Sequence, residues 1–369
     1  MPDANPPTAR ARVSLRDIAA EAGVSHVAVS LALRGDPRIS AIRRAEIAAV
    51  AERLGYKPDP MLSSLAAYRQ SKKPVEIRST VAWLNQWSNP RDLRRFQEFD
   101  AYWQGAHTYA ASLGYHLEEF EVGKDLSGPR LQQIMLARNV RGILIPPHQR
   151  GLNLGEFDWS PFALVRLGSS VNFPHVHIVT SDQFKCAAMA FARAWGRGYR
   201  RIAYVATHRF DLNTGGNFRA GYLSEQDIHV PIRKHLAPLA LGGENFAADV
   251  RHLKRWLRTY KPDAIVSAQG ELPRQLEACG YRVPDDLGVA ALSLLDGHFD
   301  AGVDQNSLEV GRVAMAQLAS LIHQNERGIP RYCRRILVEG RWVDGLSLPE
   351  RTAPALSPAT GGGRAARRK

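Results

Sequence analysis

Ser14-Leu15-Arg16-Asp17-Ile18-Ala19-Ala20-Glu21-Ala22-Gly23-Val24-Ser25-His26-Val27-Ala28-Val29-Ser30-Leu31-Ala32-Leu33-Arg34-Gly35 is the stretch that decides what kind of protein this is. Ser14 and Asp17 have the spacing of a capping box, in which the hydroxyl accepts from the amide three residues on and the acid sits at the positive end of the helix dipole. A first helix therefore opens there, turns Ile18, Ala19 and Ala22 onto one face and stops at Gly23, which can take the positive φ of a helix C-terminus. Ser25 caps a second helix from His26 to about Arg34, with Val29, Ala32 and Leu33 facing inward and His26, Val27, Ser30, Leu31 and Arg34 facing out. Gly35 ends it. Ser40 opens a third helix with Ile47, Val50, Ala51 and Leu54 at i, i+3, i+4, i+7, closed by Gly55. Three short helices with a Gly turn between the first two make a helix-turn-helix, whose second helix fits a DNA major groove. A generic helical bundle would carry Glu and Lys on the outer face of its second helix. This chain carries small and apolar groups there.

The remaining composition agrees with a nucleic-acid partner. The chain has 369 residues, 44% hydrophobic and 23% charged, which is globular composition with room for two to three domains. Net charge is +13, with +5 in residues 1–78 and +4 in residues 364–369, so the ends are basic and the 285 residues between them are nearly balanced. A basic head points to a polyanion. Cys186, Cys279 and Cys333 are too far apart for a CxxC metal site or a disulfide framework, which fits a reducing compartment. The opening residues lack a signal-peptide core and no run reaches the length of a membrane span, so a cytoplasmic protein with no membrane partner is expected. HExxH, GxSxG and GxxxxGK[ST] are absent, and the triple glycine at 361–363 has neither a strand before it nor a helix after it; no enzyme, metal or cofactor is expected.

Leu15-Arg16-Asp17-Ile18-Ala19, Ala22-Gly23-Val24-Ser25, Val29-Ser30, Ser40 and Leu54-Gly55-Tyr56-Lys57-Pro58-Asp59-Pro60 resemble the headpiece of the LacI/GalR family of bacterial transcription regulators, and the resemblance covers the whole chain. It implies a ligand-responsive regulator, a repressor in the first instance, acting as a homodimer on pseudopalindromic double-stranded operator DNA. An activator or dual regulator is the alternative within the family; a solute-binding protein is the alternative outside it. The residues expected on DNA are Leu15, Arg16, Ser25, His26, Val27, Ser30, Leu31, Arg34 and Ser40. His26 is the main hydrogen-bonding reader, Val27 and Leu31 suit thymine methyl groups, and Ser30 with the amide end of the second helix suits phosphate. Positions that often hold Arg, Gln or Thr in the family are Val27, Ala28 and Leu31 here, so the operator sequence does not carry over. The family's hinge helix matches Met61 to Ala67, with Leu65 on the residue that wedges into the minor groove.

From residue 79 strand-like runs alternate with amphipathic runs, the pattern of βα units on parallel sheets. Strands are expected at 80–84, 116–122, 142–146, 201–205, 235–241, 264–267 and 289–294, and helices at 96–113, 131–137, 184–195, 217–227, 245–260, 272–279 and 308–323. The fold class is α/β: an all-α headpiece plus a two-lobed, doubly wound body of the periplasmic-binding-protein-like type I, as the resemblance also implies. The expected divisions are an N-terminal arm at 1–12, the headpiece at 13–60, hinge and linker at 61–78, the body at 79–350 and a disordered basic tail at 351–369. Within the body the first lobe takes about 79–180 plus segments returning after 295, and the second about 182–295, with helix 308–323 crossing back to the first.

Ligands of such sheets bind at the carboxyl ends of the strands, between the lobes. The candidates for a small-molecule effector site are Trp87, Asn89, His148, Asp182, Phe218, Gln269 and Ser293. Sugar-binding relatives carry Arg where Phe218 stands and Asp where Ser293 stands, the partners of vicinal hydroxyls. Their replacement predicts poor binding of simple hexoses and an effector with an apolar or aromatic face, or a larger glycoside, held against Trp87 and Phe218 with Gln269 donating an amide hydrogen bond.

Overall fold

A computed structural model describes residues 13–33, 36, 38–56, 79–123, 126–148 and 152–351. The expected N-terminal arm, the hinge and the basic tail beyond Arg351 lie outside these residues, as do Arg34 and Leu65; Arg351 itself belongs to the body, its amide donating to the Arg197 carbonyl at 2.9 Å. The headpiece consists of α1 (Leu15–Ala22), α2 (His26–Leu33) and α3 (Ala41–Arg53). Ser14 and Asp17 form the reciprocal capping box: Oγ of Ser14 accepts from the Asp17 amide, and the Asp17 carboxylate accepts the Ser14 amide at 2.7 Å. The Ser14 amide and hydroxyl, both donating to the Asp17 carboxylate, hold that carboxyl below its usual range. Gly23 takes φ 64° and turns the chain into α2. The core is small, with Ile18, Val29 and Ile47 at its centre and Ala19, Ala32 and Ala51 beside them. Leu33 corrects the expected inward face: it is 37% exposed. The core seam of so short a helix falls on Val29 and Ala32, three apart, and one further residue rotates by about 100° toward solvent.

The body holds two six-stranded sheets. The first runs in the order β11 (Arg335–Val338), β5 (His177–Ser181), β4 (Ala163–Leu167), β3 (Val140–Ile145), β1 (Ser79–Asn85), β2 (Tyr115–Glu121), all parallel. The second runs β12 (Arg341–Val343), β10 (Gly302–Asp304), β9 (Gly288–Ala291), β8 (Ala264–Ser267), β6 (Ile202–Thr207), β7 (Leu239–Leu241), parallel except for β12. Helices α4 (Gln97–Ser112), α5 (Gly128–Ala137) and α11 (Ser307–Gln324) belong with the first sheet. With the second go α6 (Gln183–Gly196), α7 (His208–Asn213), α8 (Asn217–His229), α9 (Phe246–Tyr260) and α10 (Leu272–Cys279). Apolar side chains fill both faces of each sheet, as buried parallel strands require.

Glycine sets the helix packing in both lobes. A Cβ on Gly311 of α11 would lie 2.0 Å from the Tyr102 carbonyl oxygen of α4, and one on Gly221 of α8 would lie 2.1 Å from that of Phe184 in α6. Backbone meets backbone there, with no space for a methyl group. Helix α11 crosses back to the first lobe as expected, but the segments after 295 serve both lobes, because β10 and β12 complete the second sheet. An edge at β9 would leave a row of backbone groups unpaired. Strands β4, β5, β10, β11 and β12 lie outside the expected strands. They span five residues or fewer, and strand 235–241 shrinks to Leu239–Leu241 after a 3-10 turn at Ile232–Lys234.

Candidate DNA-binding face and interlobe cavity

The outer face of α2 presents His26 and Val27, the latter 53% exposed, with Ser30 and Leu31 half-buried beside them. Ser25 sets that face: its Oγ accepts from the Ala28 amide at 3.1 Å and starts the helix at His26. Ser40 does the same for α3 through the Arg43 amide at 3.3 Å. Of the three serines named as DNA candidates, Ser25 and Ser40 are thus helix caps. Arg16 is exposed, whereas Leu15 is half-buried against the headpiece core.

The other candidate site is a cavity of about 470 Å³ between the lobes. Trp87, His148, Phe218 and Ser293 line it; Asn89, Asp182 and Gln269 do not. Asn89 is exposed and caps the 3-10 turn Pro90–Arg95, its side-chain oxygen accepting from the Arg91 amide. Asp182 caps α6 by accepting from the Lys185 amide at 3.1 Å. Gln269 leaves the lining to Ala268 and Gly270, and its Nε2 is buried without a partner. Each follows the end of a strand, as sequence position required, but the side chains of Asn89 and Asp182 are spent on local turns away from the cleft.

Aromatic rings make the walls. From the first lobe Trp87, Phe96, Phe99 and Tyr102 follow one another at centroid separations of 5.8, 5.1 and 5.9 Å. From the second, Phe210 stacks on Phe218 at 5.4 Å. Phe218 is only 1% exposed, so it is both cavity wall and lobe core. Trp87 is fixed by its Nε1, which donates to the Pro147 carbonyl at 2.9 Å. His148 is fixed more fully: Nε2 accepts from the Gln86 amide at 3.0 Å, so Nδ1 carries the proton and donates to the Pro146 carbonyl at 2.7 Å. Burial pushes its pKa down to about 4. It is a neutral strut with neither nitrogen left for a ligand.

Sequence reasoning missed the charged part of the cavity. Asp296, on a loop of the second lobe, reaches across to α4 of the first, where its carboxylate accepts from the Gln97 amide at 2.9 Å and the Glu98 amide at 3.3 Å. Glu98 then faces Ser293, whose hydroxyl bonds its carboxyl; burial, opposed by that bond and helped by Asp296 and Asp304, raises the Glu98 pKa to about 7. Burial raises Asp296 as well. Arg209 also lines the cavity. Arg and Asp are therefore present after all, from positions 209 and 296 rather than 218 and 293. The signal lay in a charged residue three beyond Ser293, but only the fold aims it inward. Near the strand crossovers Gln305 accepts from Ser181 Oγ of the first sheet and donates to the Leu292 carbonyl of the second at 2.9 Å. Among the described residues no helix is long and apolar enough to cross a membrane.

The model for bacterial regulatory proteins of the lacI family matches residues 14–59, and that for the periplasmic binding protein-like domain matches residues 191–348. The chain is a member of the LacI family of transcription regulators. The HTH-type transcriptional regulator GntR of Escherichia coli is 27% identical to this regulator over 331 residues, spanning 86% of the chain and 88% of the relative. Among solved structures, the transcriptional regulator CelR in complex with cellobiose superposes with a TM-score of 0.55 at 20% identity, covering 91% of this regulator and all of that chain. The lac repressor dimer bound to operator and the anti-inducer ONPF superposes with a TM-score of 0.50 at 16% identity, covering 92% and 99%. At these identities the structures speak for the fold.

Proposed function

We propose that this LacI-family regulator is a cytoplasmic repressor that binds a pseudopalindromic operator as a homodimer and is controlled by a small molecule in the interlobe cavity. One α2 lies in the major groove of each half-site. His26 donates to a base edge, Val27 and Leu31 meet thymine methyl groups, and Arg16, Ser30 and Arg34 hold phosphate. Leu65 wedges between central base steps, and Leu65→Ala reduces the DNA bend in an end-to-end energy-transfer assay while leaving the dimer intact. The observation that carries the proposal is the pairing of an exposed, apolar-and-histidine face on α2 with a body whose cavity takes its walls from both lobes. A ligand bridging Trp87 and Phe218 changes how the lobes sit on each other, and the coupling between ligand and DNA is reciprocal.

The effector is a glycoside or another ligand with an apolar ring face. Aromatic walls suit such a face, while Glu98, Asp296 and Arg209 suit hydroxyls. The cellobiose bound by CelR, a protein of the same fold, supports that class. In vitro selection from random duplexes, followed by genome-wide footprinting, tests the DNA half: a two-fold symmetric site is expected, and the absence of any selected sequence defeats the proposal. Thermal-shift screening with glycosides and free monosaccharides tests the other half. Tight binding of a plain monosaccharide, undiminished in Phe218→Ala, defeats the account of the effector.

A further inference from the structure

All six strands of the first sheet run parallel, so their starts share one edge and their ends the other. Trp87, His148 and Gly168 follow the ends of β1, β3 and β4 and open on the cavity. Ser79, the first residue of β1, lies at the opposite edge, where its Oγ donates to the Asn139 carbonyl at the start of β3. The headpiece is joined to the body at residue 79, hence at that edge.

The same edge is rich in arginine. The loop from α11 to β11 reads Asn325-Glu326-Arg327-Gly328-Ile329-Pro330-Arg331-Tyr332-Cys333-Arg334-Arg335. It is tied to the strand starts by the Gly328 amide donating to Phe162 at 2.8 Å and the Ile178 amide donating to Arg334 at 2.9 Å. Its one acid is already committed, because Glu326 holds Arg334 at 2.6 Å and His177 at 2.8 Å. Arg327, Arg331 and Arg335 are exposed, and Arg141 of β3 lies near Arg327. Among the described residues none of these four pairs with a carboxylate. Partial burial first, then the like charges of Arg141 and of Arg44 from headpiece helix α3, depress the Arg327 guanidinium below its ordinary value. Arg327, Arg331 and Arg335 of the loop and Arg141 of a strand thus gather on the headpiece side of the first lobe, and the loop's one acid is held by Arg334 and His177; such an arrangement suits a polyanion.

We infer that the arginine loop of the body is a second DNA-binding surface, which lays Arg327, Arg331 and Arg335 on the phosphate backbone alongside the site held by the headpiece. The inference rests on the operator-binding function proposed above. The contact is sequence-independent, since guanidinium meets phosphate and no base edge is involved, and it places the first lobe against DNA. An effector that shifts the lobes then moves a DNA contact directly as well as through the hinge.

The test uses the full chain, a random-sequence 40-base-pair duplex and the operator found by selection. Binding of the wild type, the triple variant Arg327→Gln/Arg331→Gln/Arg335→Gln and the matching triple Lys variant is followed by fluorescence anisotropy from 50 to 300 mM salt. Each phosphate released from its counterions contributes about 0.9 to the slope of log affinity on log salt. The Gln variant is expected to lose at least about 2 from that slope on both duplexes and on the order of tenfold in affinity at 100 mM salt, with an unchanged selected consensus, while the Lys variant keeps the slope. Equal slopes for wild type and Gln variant, at equal melting temperature, overturn the inference and leave operator binding standing. A wild type that binds neither duplex at 50 mM salt overturns operator binding and takes the inference with it.

Discussion

The headpiece and the interlobe cavity are built on different scales. The caps that start the headpiece helices each join residues three apart: Ser14 with Asp17, Ser25 with Ala28, Ser40 with Arg43. The cavity joins residues far apart in the chain, and its central bond, from the Gln97 amide to Asp296, spans two lobes. Local bonds survive a change elsewhere in the molecule. Long-range ones do not, so the DNA face and the effector site should fail independently under mutation.

Separation of the parts provides the strongest test. A chain ending before residue 60 keeps the three capped helices but loses the second headpiece of a dimer, and avidity between linked sites is worth about 10²- to 10⁴-fold. Circular dichroism should show helix, and anisotropy should show operator affinity reduced by that order. Equal affinity would contradict the tethered dimer. The reverse experiment damages the body alone. Gly311→Val drives a side chain into the Tyr102 carbonyl and should cost about 3 kcal/mol in the first lobe. A lowered melting transition for the body, with headpiece helicity retained, is the expected result; loss of both together would show that the two regions fold as one.

Smaller changes sharpen the contrast within each region. His26→Ala should relax preference at one base position per half-site by about 1–3 kcal/mol, whereas Ser30→Ala should weaken all operator variants alike. Unchanged base preference in the His26 variant removes it from the readers. In the cavity, the Glu98 carboxyl titrates at about 7 in the folded chain against an ordinary 4.5. The native state therefore holds a proton that the unfolded chain has released, and stability falls as pH rises from about 4.5 to 7. His148 acts in the opposite sense: its pKa of about 4 against an ordinary 6.5 means stability is lost as pH falls through that interval. Glu98→Gln should remove the first slope and leave the second, raising stability at pH 8 on the order of 1–2 kcal/mol with little change at pH 5. Melting curves across pH decide it, and an unaltered profile would show that Glu98 is solvated.

Legibility followed the same division. Capping serines, Gly23 and the Val29/Ala32 seam were readable because sequence neighbours are spatial neighbours there. The one slip in the headpiece, Leu33, fell at a helix end where a single residue of rotation decides exposure. In the body the longer helices, the strands β1, β2, β3 and β6 and the short apolar runs of β7, β8 and β9 were visible in the sequence, while β4, β5, β10, β11, β12 and the six-residue helix α7, embedded among loops, carried no period to read. Of the cavity candidates, Trp87, His148, Phe218 and Ser293 line it, whereas Asn89 and Asp182 cap turns and Gln269 is turned out of the lining, a choice made by side-chain direction and not by sequence position.

The sequence by itself determined the helix-turn-helix, the alternation that makes two parallel sheets, and the strand-end loops in which a ligand site had to lie. Those follow from local bonding and from the period at which apolar residues recur. Only the tertiary structure decided which strand-end side chains face the cleft, that Asp296 caps a helix of the opposite lobe, that His148 is locked neutral, and that the arginines of 327–335 share an edge with Ser79. Each depends on where two distant segments meet, and that is set by the packing of whole sheets and helices rather than by any run of neighbouring residues.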